Sequence, residues 1–317
     1  MKRSLSRKEF IQLTALASVA LPVIGLAGCG QKAETKNDDR SINYSAQLGL
    51  QVYGIRELLT QDPQGVFKTL ADIGIKNIEV FDPSSLKNYV PIIKDNGMTA
   101  LSTHFLSGYI TGQWETLKKM GMTPPENYRF ENIVEDCATQ GVNYLGIAIL
   151  MPEERQSLDD FKRFADLANQ HAEISKKSGV QLYYHNHSYE FKPTEGTTPM
   201  EVLLKGFDPS LIKIELDVFW AAIAGANPVD WINKLGNQLL FLHLKDLKAN
   251  TPTDYTVFEV DKAAFLEIGS GSLDFSTIFK AAKEAGATHA FLDQDHTAMD
   301  KFDSIRKSYE YINSLAV

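Results

Sequence analysis

The chain is nearly without cysteine: its 317 residues include only Cys29 and Cys137. Two thiols cannot build a disulfide framework or a thiolate metal cluster. Positive charge is also in short supply, with 32 Lys and Arg against 40 Asp and Glu and a formal net charge of −8. Nucleic-acid binding draws on clustered cations that neutralise phosphates, so no nucleic-acid partner is expected. No G-x-G-x-x-G turn follows the first strand-like run, which speaks against a dinucleotide-binding doubly wound sheet. What is present, 44% hydrophobic, 10% aromatic and 23% charged residues, belongs to a folded globular chain and excludes disordered or collagen-like classes. Length alone allows two medium domains or one large α/β barrel with an appendage.

The first thirty residues have a character of their own. Lys2, Arg3, Arg7 and Lys8 precede an apolar stretch from Ile11 to Gly28, interrupted by Pro22. A basic start, a short apolar core and small residues at the cut are the pattern of a secretory signal. The stretch is marginal as a spanning helix. Leu26-Ala27-Gly28-Cys29 resembles a bacterial lipobox, which implies cleavage before Cys29 and acylation of its thiol. Ser6-Arg7-Lys8-Glu9-Phe10 resembles a twin-arginine export signal with Lys8 in place of the second arginine. Residues 1–28 are therefore expected to be a signal peptide, 29–44 a polar lipid-anchored tether, and 45–317 one exported domain facing the periplasm or the cell surface. The lipid is then the sole contact with the membrane. Loss of residues 1–28 removes four cations and one anion and takes the charge from −8 to −11.

Eight short runs rich in Val, Ile, Leu and Phe follow: 48–53, 77–81, 98–105, 142–150, 180–187, 212–219, 238–245 and 288–295. Such near-continuous apolar runs are those of strands buried on both faces. Amphipathic stretches separate them, among them 161–179, closed by Gly179, and 274–287, opened by Asp274 as N-cap. Eight strands alternating with helices over about 270 residues predict a single (β/α)8 TIM barrel.

Chemistry in such a barrel gathers at the C-terminal ends of the strands. Five of the seven histidines fall near those ends: His104, His185, His187, His243 and His296. Glu79, Glu190, Asp217 and Asp293 hold matching positions. Imidazoles and carboxylates together suit one divalent ion such as Mn2+, Zn2+, Co2+, Fe2+ or Mg2+. His185, Asp217, His243 and Asp293, one from each of four consecutive strand ends, would meet at a common centre. Register decides between His185 and His187 on the fifth strand. Gln51, Glu79, Arg56 and Trp220 are candidate substrate contacts, although Arg56 also suits a loop salt bridge and Trp220 loop packing. Gly269-Ser270-Gly271 lies where barrels often bind phosphate, but two glycines before a helix make a turn first. Cys137 is expected to be a small buried hydrophobe.

GLQVYGIRE (49–57), YHNHSYEF (184–191), LDVFWA (216–221), HLKD (243–246) and FLDQDH (291–296) resemble, in this order, motifs of the sugar phosphate isomerase/epimerase family. These are xylose isomerase-like TIM barrels that include inosose dehydratases, ketose 3-epimerases and endonuclease IV. The resemblance implies one divalent metal held at the ends of strands five to eight, on His185, Asp217, His243 and Asp293. The 3-epimerases carry a pair of glutamates where this chain has His185 and Asp293, so the symmetric two-Glu apparatus is missing. A charge of −11 sets the endonuclease activity aside.

A metal with free coordination sites polarises a carbonyl and stabilises the enediolate left when the α-proton departs. Imidazole titrates near working pH, which makes His187, His104 and His296 candidate bases. Glu190 orients or replaces His187, and Lys245 is placed to hold a substrate oxygen. The expected partner is a small sugar or keto-sugar, and the expected reaction is isomerisation or epimerisation. Elimination from a 3-keto-glycoside or an inosose-like substrate is the alternative on the same residues, and sugar binding without catalysis is a second one. Homo-oligomerisation is left open.

Overall fold

The structure is a computed structural model that describes residues 43–315. The expected signal peptide, Cys29 and nearly all of the expected tether lie outside the described residues. In chain order the strands are β1 (Gly49–Gln51), β2 (Asn77–Val80), β3 (Thr99–Phe105), β4 (Tyr144–Ile147), β5 (Gln181–His185), β6 (Ile212–Asp217), β7 (Leu239–Leu244), β8 (Asp246–Leu247), β9 (Phe265–Leu266) and β10 (His289–Leu292). β1 to β7 and β10 close into a parallel barrel, with β10 between β7 and β1. β8 and β9 form a small antiparallel ribbon that the apolar runs did not reveal.

Each of the eight apolar runs becomes one barrel strand. Several runs overstate their strand because the loops above the barrel are apolar too. Ile149 and Leu150 are buried beyond the end of β4. The helix expected at 161–179 spans Leu158–Lys177 and begins at Ser157, whose hydroxyl accepts from the Asp160 N–H. The helix Phe275–Ala285 begins, as expected, at an Asp274 carboxylate that accepts from the Thr277 N–H. Tyr44, assigned to the tether, packs with the barrel: it is 1% exposed and its hydroxyl donates to the Ala287 carbonyl. No described helix is long and apolar enough to cross a membrane.

Alternation along each strand sends every second side chain inward. Near the N-terminal end of the barrel, Tyr183, Phe241 and Phe291 fill the interior with Leu101, Tyr144 and Leu240 packed against them. Leu101 and Leu240 belong to two register shifts. Pairing of β2 with β3 steps from Ile78–Ala100 to Glu79–Ser102, and pairing of β6 with β7 from Ile214–Leu239 to Glu215–Phe241. A bulge re-aims the side chains beside it, and each shift immediately precedes an inward carboxylate, Glu79 or Glu215. On β4 the interior needs a glycine. A Cβ at Gly146 would lie 2.4 Å from the Tyr183 ring and 2.5 Å from His104.

Candidate metal centre and cavity

The next layer toward the C-terminal strand ends is polar. His185 closes β5, Asp217 closes β6, His243 sits on β7, and Asp293 follows β10. One ligand atom from each lies within 4.8 Å of the others. His185 Nε2 is 3.5 Å and His243 Nδ1 4.0 Å from Asp217 Oδ2, and His243 Nδ1 is 3.2 Å from Asp293 Oδ2. Among the described residues, His185 Nε2 and His243 Nδ1 are buried without a hydrogen bond, and Asp217 Oδ2 faces the Lys245 ammonium at 2.8 Å. Buried polar atoms are normally paired, so two imidazole nitrogens without hydrogen bonds beside two carboxylates form a donor set that suits a divalent cation.

The hydrogen bonds behind this cluster set its tautomers. His185 Nδ1 lies 3.0 Å from the Ala148 carbonyl, which only accepts, so Nδ1 carries a proton and Nε2 is the atom turned to the cluster. His243 Nε2 lies 2.8 Å from Glu79 Oε1 and 3.1 Å from Glu215 Oε1, which leaves Nδ1 to face the cluster. A carboxylate behind a ligating imidazole is the usual way to fix its orientation and raise its basicity.

A second group of four, Glu79, His104, Glu215 and His243, lies beneath the first and shares His243 with it. His104 Nε2 is 2.9 Å from both Glu79 Oε1 and Glu215 Oε2, and its Nδ1 is 3.2 Å from Gln51 Nε2. Burial alone would lower the His104 pKa, but the Glu79 and Glu215 carboxylates outweigh it and raise it to about 9. His243 is lifted well above the usual imidazole value by the same balance. Glu79 resists burial through its two imidazole neighbours and titrates well below the carboxylate range. The Tyr183 hydroxyl donates to Glu79 Oε2.

Lys245, two residues past His243, is fully buried rather than a rim lysine. Its ammonium lies 2.5 Å from Asp293 Oδ2, 2.8 Å from Asp217 Oδ2 and 2.9 Å from Asp295 Oδ2. Burial opposes its charge, yet the three carboxylates hold its pKa well above the usual lysine value.

The remaining expected residues divide by position. His187 lies outside the cluster of four, its ring 4.9 Å from that of His185 and stacked on Tyr189. Burial, then His185 and Lys245, push its pKa well down, and it is neutral at working pH. His296 lines the cavity edge-on to Phe265. Trp220 lines it too and donates its backbone N–H to Asp217 Oδ1. Gln51 also lines it, and its Nε2 lies 3.4 Å from Glu79 Oε1. Among the described residues Arg56 makes no salt bridge: it donates to the Tyr53 carbonyl and stacks over the Tyr53 ring at 3.9 Å. Glu190 does not line the cavity. Tyr184, on the outer face of β5, holds its Oε1 at 2.6 Å, and its Oε2 accepts from the His187 N–H. Its place is thus behind His187, as an orienting group. Gly269 and Gly271 form the expected turn, and both N–H groups donate to Asp246 Oδ2. A carboxylate of the chain thereby takes the place considered for phosphate. Cys137 is buried, as expected.

Sequence reasoning missed Glu215 and Asp295. The available signal was the two-residue spacing of Glu215 with Asp217 and of Asp293 with Asp295, which puts both members of each pair on the same side of an extended chain.

Above these residues opens a cavity of about 610 Å³. His104, His185, His187, His243, Asp293 and Asp295 line its polar part. Residues of the long connections 106–129 and 248–264 line its mouth.

A closed eight-strand parallel barrel with histidines and carboxylates at its C-terminal strand ends defines a class of TIM-barrel enzyme. Residues 67–314 match the family model described as xylose isomerase-like TIM barrel, and the chain belongs to that family. It is 26% identical over 163 residues to an inosose dehydratase of Clostridium beijerinckii, covering 49% of this chain and 54% of that protein. The chain spans about half the length of the curated relatives it matches. The crystal structure of a sugar phosphate isomerase/epimerase from Parabacteroides distasonis ATCC 8503 is similar with a TM-score of 0.67 and 26% identity, over 86% of this chain and 94% of that one. The IOLI protein with a binding zinc atom shares the fold at a TM-score of 0.59 and 13% identity, over 85% and 98% of the two chains.

Proposed function

We propose that this protein is a divalent-metal-dependent enzyme that removes a proton α to the carbonyl of a sugar or keto-sugar and returns it to give an isomer or epimer. The observation that carries this reading is the pair of buried nitrogens without hydrogen bonds, His185 Nε2 and His243 Nδ1, beside the Asp217 and Asp293 carboxylates, at the floor of a cavity that also holds further imidazoles. With Asp293 these residues would hold the ion. Bound there, a divalent cation supplies Lewis acidity toward the substrate carbonyl.

The chain's own groups do the rest. His187, buried and neutral, offers a ring nitrogen as proton acceptor, and Glu190 fixes its backbone through the His187 N–H. His104 is a positioning residue, since both its nitrogens are engaged by Glu79, Glu215 and Gln51. Lys245, expected to hold a substrate oxygen, is instead a positioning residue: it does not line the cavity and its ammonium is taken up by Asp217, Asp293 and Asp295. The absence of a matched glutamate pair makes the site asymmetric, and the curated relatives are named inosose dehydratases. Both points favour a second reading, in which the same proton abstraction is followed by loss of a β-substituent.

Solvent-deuterium exchange tests the common step. With metal-loaded protein, a panel of ketoses and keto-sugars should include one that takes up deuterium α to its carbonyl, and Asp217→Ala should lower that rate by about a hundredfold or more. Absence of exchange across the panel, or metal stoichiometry unchanged in both Asp217→Ala and His243→Ala, would sink the proposal. Release of an enone or a leaving group selects elimination.

The export reading belongs to the same proposal, supported by the Leu26-Ala27-Gly28-Cys29 motif. Metabolic labelling with a fatty acid should mark the protein and vanish in Cys29→Ser. An unlabelled wild type refutes it.

A further inference from the structure

We propose that the mouth of the cavity is a subsite for an apolar ring carried by the sugar, so that the substrates are glycosides with aromatic or otherwise apolar aglycones rather than free monosaccharides. This rests on the sugar-enzyme reading above.

The cavity is two-faced. Its floor is polar and ionic, whereas Trp114, Met120, Met122, Pro124, Val257 and Phe258 line it from the two long connections above the barrel. Arg56, Asp82 and Lys262 interrupt that wall. Met120 is 44% and Phe258 53% exposed, two of the three large hydrophobics that stand open among the described residues. A single exposed apolar side chain is ordinary. Two of them, from different connections, lining one cavity above a reactive floor mark a binding surface.

The surface is also prearranged. The Trp114 indole lies against the backbone of Gly108, where a Cβ would come within 2.7 Å of the ring. Tyr109 meets it edge-on at 4.9 Å and 90°. A ring held in this way offers stacking area at little entropic cost.

Size and chemistry agree. A volume of about 610 Å³ lies in the range of sites that enclose drug-sized ligands, well beyond what one monosaccharide on the floor would fill. A free sugar extended into the mouth would leave hydroxyls facing Met120, Met122, Pro124 and Phe258, where they lose water without gaining partners. An apolar ring gains there by burial alone.

Tryptophan fluorescence titration of the metal-loaded protein tests this. The probes are phenyl and methyl β-D-glucopyranoside, each also as its 3-keto form. The expected result is at least tenfold tighter binding of the phenyl member of a pair. In Phe258→Ala combined with Met120→Ala, that ratio should fall to near one. Equal binding within every pair, no binding of any pair, or a ratio that survives in the double variant overturns the proposal. The readout is binding and does not depend on turnover. A protein that prefers the phenyl glycosides but exchanges no α-proton therefore upholds the subsite while refuting the reaction.

Discussion

At the scale of single residues, the site consists of charges that burial would suppress and neighbours that restore them. Glu190, like His187 and Asp295, is an exception, since its neighbours do not fully compensate. Burial outweighs its bonds to the Tyr184 hydroxyl and the His187 N–H, and its pKa rises from 4.5 to about 7. The folded state then keeps a proton that the unfolded chain has lost, so stability present at low pH erodes as pH climbs from about 4.5 through 7. The shift corresponds to about 3 kcal/mol. Glu190→Gln cannot ionise, and its unfolding free energy should lack this decline. Denaturant unfolding of both proteins at pH 5, 6, 7 and 8 measures it, and parallel curves would refute the assignment. The same scale shows what could be read from sequence. His185, Asp217, His243 and Asp293 were legible because each closes or adjoins a recognisable apolar run. Glu215 and Asp295 were not, because a search for one ligand per strand passes over a second carboxylate two residues away. The engagement of His104 was also hidden, since it depends on Glu79 and Glu215 arriving from β2 and β6.

At the scale of elements, boundaries and anchors matter more than the strands themselves. The eight barrel strands were visible as apolar runs, and the caps Ser157 and Asp274 follow from local chemistry. The β8–β9 ribbon escaped notice because two-residue strands leave no periodicity to detect. Its anchor is Asp246, whose Oδ2 accepts from the Gly269 and Gly271 N–H groups and whose Oδ1 accepts from the Leu273 and Leu247 N–H groups. Asp246→Ala removes one charged acceptor shared by four N–H groups, of which those of Gly269 and Gly271 lie on exposed residues and that of Leu273 on a half-buried one. The expected cost is about 2–4 kcal/mol, seen as a thermal midpoint lower by about 4–10 °C. A change of less than 2 °C would show that water or a loop shift replaces the carboxylate.

At the scale of the whole molecule, the proposed ion binding would be linked to folding. A cation held by atoms from β5, β6, β7 and the end of β10 would bind the closed barrel and not the open chain. Zn2+ or Mn2+ at a hundred times its dissociation constant should therefore raise stability by about 2.7 kcal/mol. Differential scanning calorimetry with metal and then with chelator checks this, and a midpoint indifferent to both would argue against the centre. The fold was legible because apolar runs alternate with amphipathic stretches from residue 48 to 295, whereas the cavity mouth was not, because the 106–129 and 248–264 connections carry no period of their own. The aromatic plug of Tyr183, Phe241 and Phe291, with the two bulge leucines against it, has a kinetic consequence. Among the described residues it closes the interior beneath the polar layer, so the floor opens on the side of the cavity lined by the 106–129 and 248–264 connections. On the proposed glycoside reading, a bulky leaving fragment held in that mouth would have to depart before the sugar beneath it.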